Sequence, residues 1–327
     1  MAFKDVVGHE KQKYFLKRFL DTGRTPHALL FSGQEGIGKK KLAIEFIKYM
    51  FCERGDGCGK CRACLKIERR THPDVIFIEE EDTIGIDLVR GNREKKITGI
   101  NEEIHEYPYE GTNRAILIDR ADTMTQEASN ALLKTLEEPP TFNHFFLITS
   151  SEQKIPLTIR SRCTRVRFTS LIQGDLQQYF VEVQGMDDEK ANFFSTISCG
   201  SIGTGLFWLE EENFSMRKKL AALVVGKDRS FLHTTLVSEM VSQSDLQMSM
   251  YLNFLISLFR DLYMVHYGQD PSRIINRDVK EILKCENVDT EWIISSIERI
   301  QEGIHLMRYN VNRWLLFENT MLHIMRL

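Results

Sequence analysis

The chain has next to no net charge: 43 Lys and Arg against 46 Asp and Glu give a formal value of -3 over 327 residues. That balance provides no long-range attraction for nucleic acid, which excludes a free-standing, strongly basic DNA-binding domain and leaves only local or shared contacts. Long hydrophobic runs are missing as well. The greasiest stretch, Met250 to Val265, is interrupted by Asn253, Arg260 and Asp261, and residues Met1 to Gln12 contain no apolar h-region. A cytoplasmic protein without a membrane span is expected. There are no internal repeats or low-complexity tracts, and 42% hydrophobic with 27% charged residues is an ordinary globular composition. A length of 327 residues exceeds a single core, since domains run to about 100–200 residues, so two or three domains are expected.

What is present begins with a strand, loop and helix. Phe15, Leu16, Phe19 and Leu20 share a helical face, Ala28-Leu29-Leu30-Phe31 is an apolar run, and Leu42, Ala43, Phe46, Ile47 and Met50 recur at spacings of three and four. Val75-Ile76-Phe77-Ile78, Ala115-Ile116-Leu117-Ile118 and Phe145-Phe146-Leu147-Ile148 are further runs without alternation, the pattern of parallel strands covered on both faces. Between the last two, residues 126–138 carry a helical stripe that Pro139-Pro140 ends. Alternating strands and helices imply an α/β fold with a parallel sheet. Beyond Phe168 the β-branched runs disappear and the pattern is helical. Gly200, Gly203 and Gly205 interrupt it, marking a boundary near residue 209.

Gly33-Gln34-Glu35-Gly36-Ile37-Gly38-Lys39-Lys40 fits the phosphate-loop pattern, in which glycines let backbone N–H groups converge on phosphate at a helix N-terminus. Lys39 would reach the β/γ-phosphates. The motif normally closes with a Ser or Thr hydroxyl that binds Mg²⁺, but Lys40 stands there, and an ammonium cannot ligate a cation. Ile116-Leu117-Ile118-Asp119 has the form of a Walker B strand, with Asp119 placed to hold Mg²⁺ through water. Arg120 follows, where a glutamate would orient the attacking water, and a guanidinium can neither accept a proton nor be deprotonated. Asp122 reads as a helix N-cap. The expectation is a nucleotide site by descent, degenerate, with ATP or ADP occupancy open and self-catalysed hydrolysis very weak.

Cys52, Cys58, Cys61 and Cys64 crowd one segment, with Gly55, Gly57 and Gly59 for tight turns. Four thiolates at these spacings suit a tetrahedral structural Zn²⁺ site with no open position. The rivals are an iron–sulfur cluster, against which the missing Cys-Pro speaks, and free thiols. Of the solitary cysteines, Cys199 and Cys285 read as small buried residues, and His72 as a satisfied loop residue rather than a fifth ligand. Glu79-Glu80-Glu81-Asp82 reads as a solvated loop.

A cysteine module directly after the P-loop helix, a Walker B strand, and Thr158-Ile159-Arg160-Ser161-Arg162-Cys163 together resemble bacterial clamp-loader subunits of the gamma/tau and delta prime type, members of the AAA+ class. Phe3-Lys4-Asp5-Val6-Val7-Gly8, the stretch Ala131 to Pro140, and Leu147-Ile148-Thr149-Ser150 extend the match over about the first half of the chain. The resemblance implies an AAA+ domain over 1–168 with a zinc module at 52–64, a small helical lid over 169–208 and an all-helical collar over 209–327 that oligomerises the ring. It implies Arg162 as an arginine finger acting in trans on ATP bound to the neighbouring subunit, and Thr149 as a member of the degenerate nucleotide site with Gly33, Gly36, Gly38, Lys39, Lys40 and Asp119. Arg160 and Arg165 lie close to Arg162 in sequence. Gamma/tau subunits keep the P-loop Thr, the Walker B Glu and a lid arginine where Gly200-Ser201-Ile202-Gly203 stands here, so the defects favour the delta prime type. The implied partners are gamma/tau and delta subunits in a hetero-pentamer, with the sliding clamp and primed DNA reached through the complex. An active AAA+ ATPase of gamma/tau type and a zinc-dependent nucleic-acid module are the alternatives.

Overall fold

Each apolar run forms a strand because both of its faces find a cover. The computed structural model describes residues 3–325 apart from 4, 81, 82, 93, 96, 227–229, 269, 285–287, 308 and 310. Strands β1 (Ala28–Ser32), β2 (Val75–Ile78), β3 (Arg114–Ile118), β4 (Asn143–Thr149) and β5 (Thr164–Arg167) make one sheet of order β2-β3-β4-β1-β5, with every pairing parallel. Successive side chains leave a strand on opposite faces. Leu29, Phe31, Ala115, Leu117, Phe146 and Ile148 accordingly join one core with Leu42, Phe46 and Ile47 of helix α2 (Lys39–Phe51). Leu30, Ile116, Ile118, Phe145 and Leu147 join the other.

That second core is covered by α6 (Gln126–Glu137), which Thr125 caps by accepting the Ala128 N–H, and by two short helices, α4 (Ile86–Arg90) and α5 (Ile100–Glu103), through Val89 and Ile100. The strand β5 was not legible as one. Thr-Arg-Val-Arg buries only Val166, on an edge strand paired to β1 alone. Helices α1 (Glu10–Thr22), α3 (Arg62–Glu68), α7 (Leu157–Arg160) and α8 (Gln173–Glu182) complete the α/β part.

The chain divides into two compact units, one of Met1–Gly185 with Gly200–Gly203 and one of Met186–Cys199 with Thr204–Leu327. The second is helical: α9 (Asp188–Ile197), α10 (Ile202–Leu209, from Thr204 onward), α11 (Glu211–Val225), α12 (Phe231–Val241), α13 (Asp245–His266), α14 (Thr290–Leu306) and α15 (Arg313–Met325). Its core centres on α13, and Arg217, buried between the Trp208 and Phe254 rings, is ion-paired with Asp278 at 3.2 Å. Asp261, which interrupts the greasiest stretch, is buried and accepts the Ile275 and Asn276 N–H groups. No helix among the described residues is long and apolar enough to cross a membrane.

Three sequence readings change. Gly203 and Gly205 lie inside α10 rather than breaking a helix, and at Gly203 glycine is needed for close approach: a Cβ there would stand 2.7 Å from Gly36 Cα. Cys199 is exposed, not buried, at the turn after α9; Cys163 is buried, which pushes its thiol up to about 12. Cys285 lies outside the described residues, as do Glu81 and Asp82 of the acidic run. Asp122 does not cap a helix. Its carboxylate accepts the Thr149 hydroxyl at 2.9 Å and both the N–H and hydroxyl of Ser150.

Candidate functional site

In a parallel sheet the loops leaving the C-terminal strand ends meet on one edge, and ligands bind there. Here those loops carry residues 33–38 after β1, 119–122 after β3 and 150–152 after β4. The first is the P-loop. Gly33, Gly36 and Gly38 have φ of 152°, 73° and 100°, a region that side chains avoid. Lys39, 6% exposed, opens α2 and folds its ammonium back onto the loop, donating to the Gly33 and Gln34 carbonyls at 2.6 Å each. Burial lowers its pKa, against the pull of Glu35, Asp122 and Asp119. Burial raises that of Glu35, against Arg120 and Lys39.

The outer side of the loop is held by the chain itself. Gly203 N–H donates to the Gly36 carbonyl at 2.9 Å, Ser201 Oγ to the Glu35 carbonyl at 2.8 Å, and Ser170 Oγ to Gln34 Oε1 at 3.0 Å. Residues 200–203 thus clasp the loop through one backbone N–H and one serine hydroxyl. A Cβ on Gly36 would meet Ser201 Oγ at 2.5 Å and Gly203 Cα at 2.8 Å. Gly36→Ala is therefore expected to cost about 1–3 kcal/mol, read as a lowered urea midpoint; an unchanged midpoint would show that this clasp does not hold the loop.

Lys40 points its ammonium at the end of β3. It lies 2.8 Å from Asp119 Oδ2 and 3.2 Å from Glu79 Oε1. Asp119 also accepts the N–H of Arg120, which has a left-handed φ of 50°. The residues do not fit a magnesium ion: the hydroxyl is replaced by a cation, and that cation already takes the carboxylate. They do retain loop amides and a lysine suited to phosphate. Two participants were missed in the sequence. Glu79 was read as plain solvated loop, and the residue is exposed, yet its carboxylate bridges Lys40 and Arg70 Nε, the latter at 3.3 Å. His9 Nε2 lies 2.6 Å from the Ile37 carbonyl with the ring edge-on to Phe168, and no spacing in the sequence signalled it.

Arg162 follows α7. It donates to the Thr158 carbonyl at 2.9 Å and to Glu137 Oε1 at 2.6 Å, so in this chain alone the guanidinium pairs with a carboxylate. Arg165 is tied instead to Glu152 at 3.1 Å.

The four cysteines do converge. The Sγ atoms of Cys52, Cys58, Cys61 and Cys64 all lie within 4.8 Å of one another, and Cys52 and Cys61 are 3.9 Å apart; a tetrahedral Zn²⁺ with bonds near 2.3 Å sets that separation at about 3.8 Å. Backbone N–H groups already point at the sulfurs, from Cys58 to Cys52 Sγ at 3.4 Å and from Lys60 and Cys61 to Cys58 Sγ at 3.4 and 3.3 Å. Burial raises the Cys52 pKa, but N–H donation from Cys58, Asp56 and Arg54 outweighs it and brings the thiol down to about 7. Such a cluster can hold a metal ion such as zinc. His72 stays outside it: Nδ1 accepts the Asp74 N–H at 3.2 Å and the ring meets Phe51, the satisfied role expected.

This sheet order and these strand-end loops define an AAA+ fold of the clamp-loader kind. A DNA polymerase III gamma-subunit-related protein from Thermotoga maritima shares it, with a TM-score of 0.51 and 17% identity over 96% of this chain and 99% of that one. The profile of the family described as "DNA polymerase III, delta subunit" matches residues 8–171, half of the chain. The gamma subunit of DNA polymerase III from Buchnera aphidicola is 31% identical over 260 residues, 74% of this chain and 69% of that protein. The delta' subunit from Escherichia coli is 28% identical over 319 residues, 92% and 90% of the two chains. The chain belongs to the family of DNA polymerase III clamp-loader subunits. It is similar to delta' subunits over nearly its whole length, whereas it spans only 26% of the tau/gamma subunit of Haemophilus influenzae.

Proposed function

We propose that this chain is a delta prime-type clamp-loader subunit that hydrolyses no ATP itself, presents Arg162 to ATP on a neighbouring gamma/tau-type subunit, and so helps to load a sliding clamp on primed DNA in the cytoplasm. The observation that carries the reading is the Lys40–Asp119 ion pair at 2.8 Å, with Arg120 next in line. One removes the metal ligand and the other the water-orienting carboxylate, which leaves the loop and Lys39 without the parts that phosphoryl transfer requires. Similarity to delta' over 92% of the chain supports the same assignment.

The helical lid at 169–208 and collar at 209–327 belong to this reading. Leu232, Leu236 and Met240, at steps of four on α12, are 65%, 50% and 51% exposed, an apolar stripe of the sort a neighbouring subunit covers. The four-cysteine cluster would hold structural Zn²⁺ and fix α3 beside the end of α2. Gamma/tau and delta subunits would complete the hetero-pentamer.

The test is turnover by the purified chain beside a loader reconstituted from gamma/tau, delta and this chain. Phosphate release by the isolated chain is expected at buffer background with clamp and primed DNA present, while the loader is active only when this chain is included. Multiple turnover by the isolated chain, abolished in Lys39→Ala, would replace this reading with that of an active ATPase.

A further inference from the structure

The residue at the magnesium-ligating place of the P-loop does more than lack a hydroxyl. Lys40 Nζ sits 2.8 Å from Asp119 Oδ2 at the end of β3 and 3.2 Å from Glu79 Oε1 just past β2, so one ammonium, fixed to the first turn of α2, gathers two carboxylates. Glu79 is shared with Arg70 Nε at 3.3 Å, and that guanidinium lies 4.2 Å from the Phe77 ring centre. Asp119 spends its other oxygen on the Arg120 N–H at 3.0 Å. A divalent ion brought to Asp119 would meet a tethered positive charge at contact distance, and two like charges repel at that range even where the effective dielectric is high.

We propose that Lys40 is a built-in substitute for the divalent cation of this pocket: its ammonium takes the metal's place between Asp119 and Glu79, excludes Mg²⁺, and makes the arrangement of these strand ends independent of divalent ions. The consequence reaches beyond absent hydrolysis. A pocket that merely lost its hydroxyl still offers Asp119 to a metal, whereas one carrying its own cation does not, and removing that cation uncovers a latent metal site made of Asp119 and Glu79.

The experiment uses the isolated full chain with its cysteine cluster undisturbed and reads no turnover, so its outcome is separate from the role of Arg162. Free Mn²⁺ is followed by electron paramagnetic resonance during titration, and melting is recorded with and without millimolar Mg²⁺ in chelator-free buffer. Wild type is expected to remove no more Mn²⁺ than Asp119→Asn does and to melt at one temperature in both buffers. Lys40→Thr is expected to gain Mn²⁺ affinity by about tenfold or more over wild type, and to lose the gain when combined with Asp119→Asn. Lys40→Met, which keeps the apolar stem, should melt lower and recover on addition of Mg²⁺, while Lys40→Arg stays indifferent to it. Asp119-dependent Mn²⁺ uptake by wild type overturns the proposal whatever the variants do, and so does a Lys40→Met protein that melts like wild type and ignores Mg²⁺.

Discussion

Arg162→Ala in a reconstituted loader is expected to slow hydrolysis at the neighbouring subunit's ATP site by about 10³-fold, the lower end of what an arginine finger contributes. Assembly should be unaffected. The guanidinium is held after α7 by the Thr158 carbonyl and Glu137, and the side chains of Arg162 and Glu137 are 34% and 48% exposed. An ion pair that open to water is worth about 1 kcal/mol at most. The charge developing on a transferring phosphoryl group is far larger and accepts two parallel N–H bonds, so under the proposed role the guanidinium would leave Glu137 when a neighbour's nucleotide arrives. Arg162→Lys should rescue little, because an ammonium lacks the fork. Glu137→Gln should leave the rate near wild type. The measurement is steady-state ATPase stimulated by clamp and primed DNA, with size-exclusion chromatography to establish assembly. A fully assembled Arg162→Ala loader running at the wild-type rate would show that the Glu137 pair is the whole role of this residue.

The second large effect is expected at the cysteines. If the cluster holds zinc as proposed, Cys64→Ser should abolish that binding and lower the melting temperature by about 10 °C, as follows from a loss of about 3 kcal/mol in a unit of this size. Cys64 is 1% exposed and lies in α3, while Cys52 directly follows α2, so a metal held by the thiols would tie the P-loop helix to α3. Between them only short turns through Gly55, Gly57 and Gly59, all at positive φ, connect the two helices. With no hydrophobic core of its own, such a loop depends on a ligand for its shape. Metal analysis of protein purified without chelator should give one zinc per chain, and elution without metal or with iron and sulfide would refute the assignment.

The strands and the helices around them could be read in advance because burial on both faces leaves a local mark: Ala28 to Phe31, Ile116 to Ile118 and Phe145 to Ile148 are apolar at every position, and the glycines of 33–38 mark the loop that follows. The cysteine cluster was equally plain, since its ligands lie within one short segment and their separation is limited by the chain between them. The edge strand β5 left no such mark, because only one of its four residues, Val166, is buried.

Lys40, Asp119 and Arg120 announced by residue type alone that the pocket had lost a metal ligand and a water-orienting carboxylate. That followed from the sequence, because the spacing of a P-loop and the end of a Walker B strand are local properties. Which charges then found one another was decided only by the fold. The parallel sheet brings the ends of β1, β2, β3 and β4 to one edge, and there Lys40 meets Asp119 and Glu79, Asp122 turns to Thr149 instead of capping a helix, and Gly203 closes on Gly36. Each of these pairs joins residues far apart along the chain. Their energies depend on distance through space, a quantity that no residue pattern holds until the strands are paired.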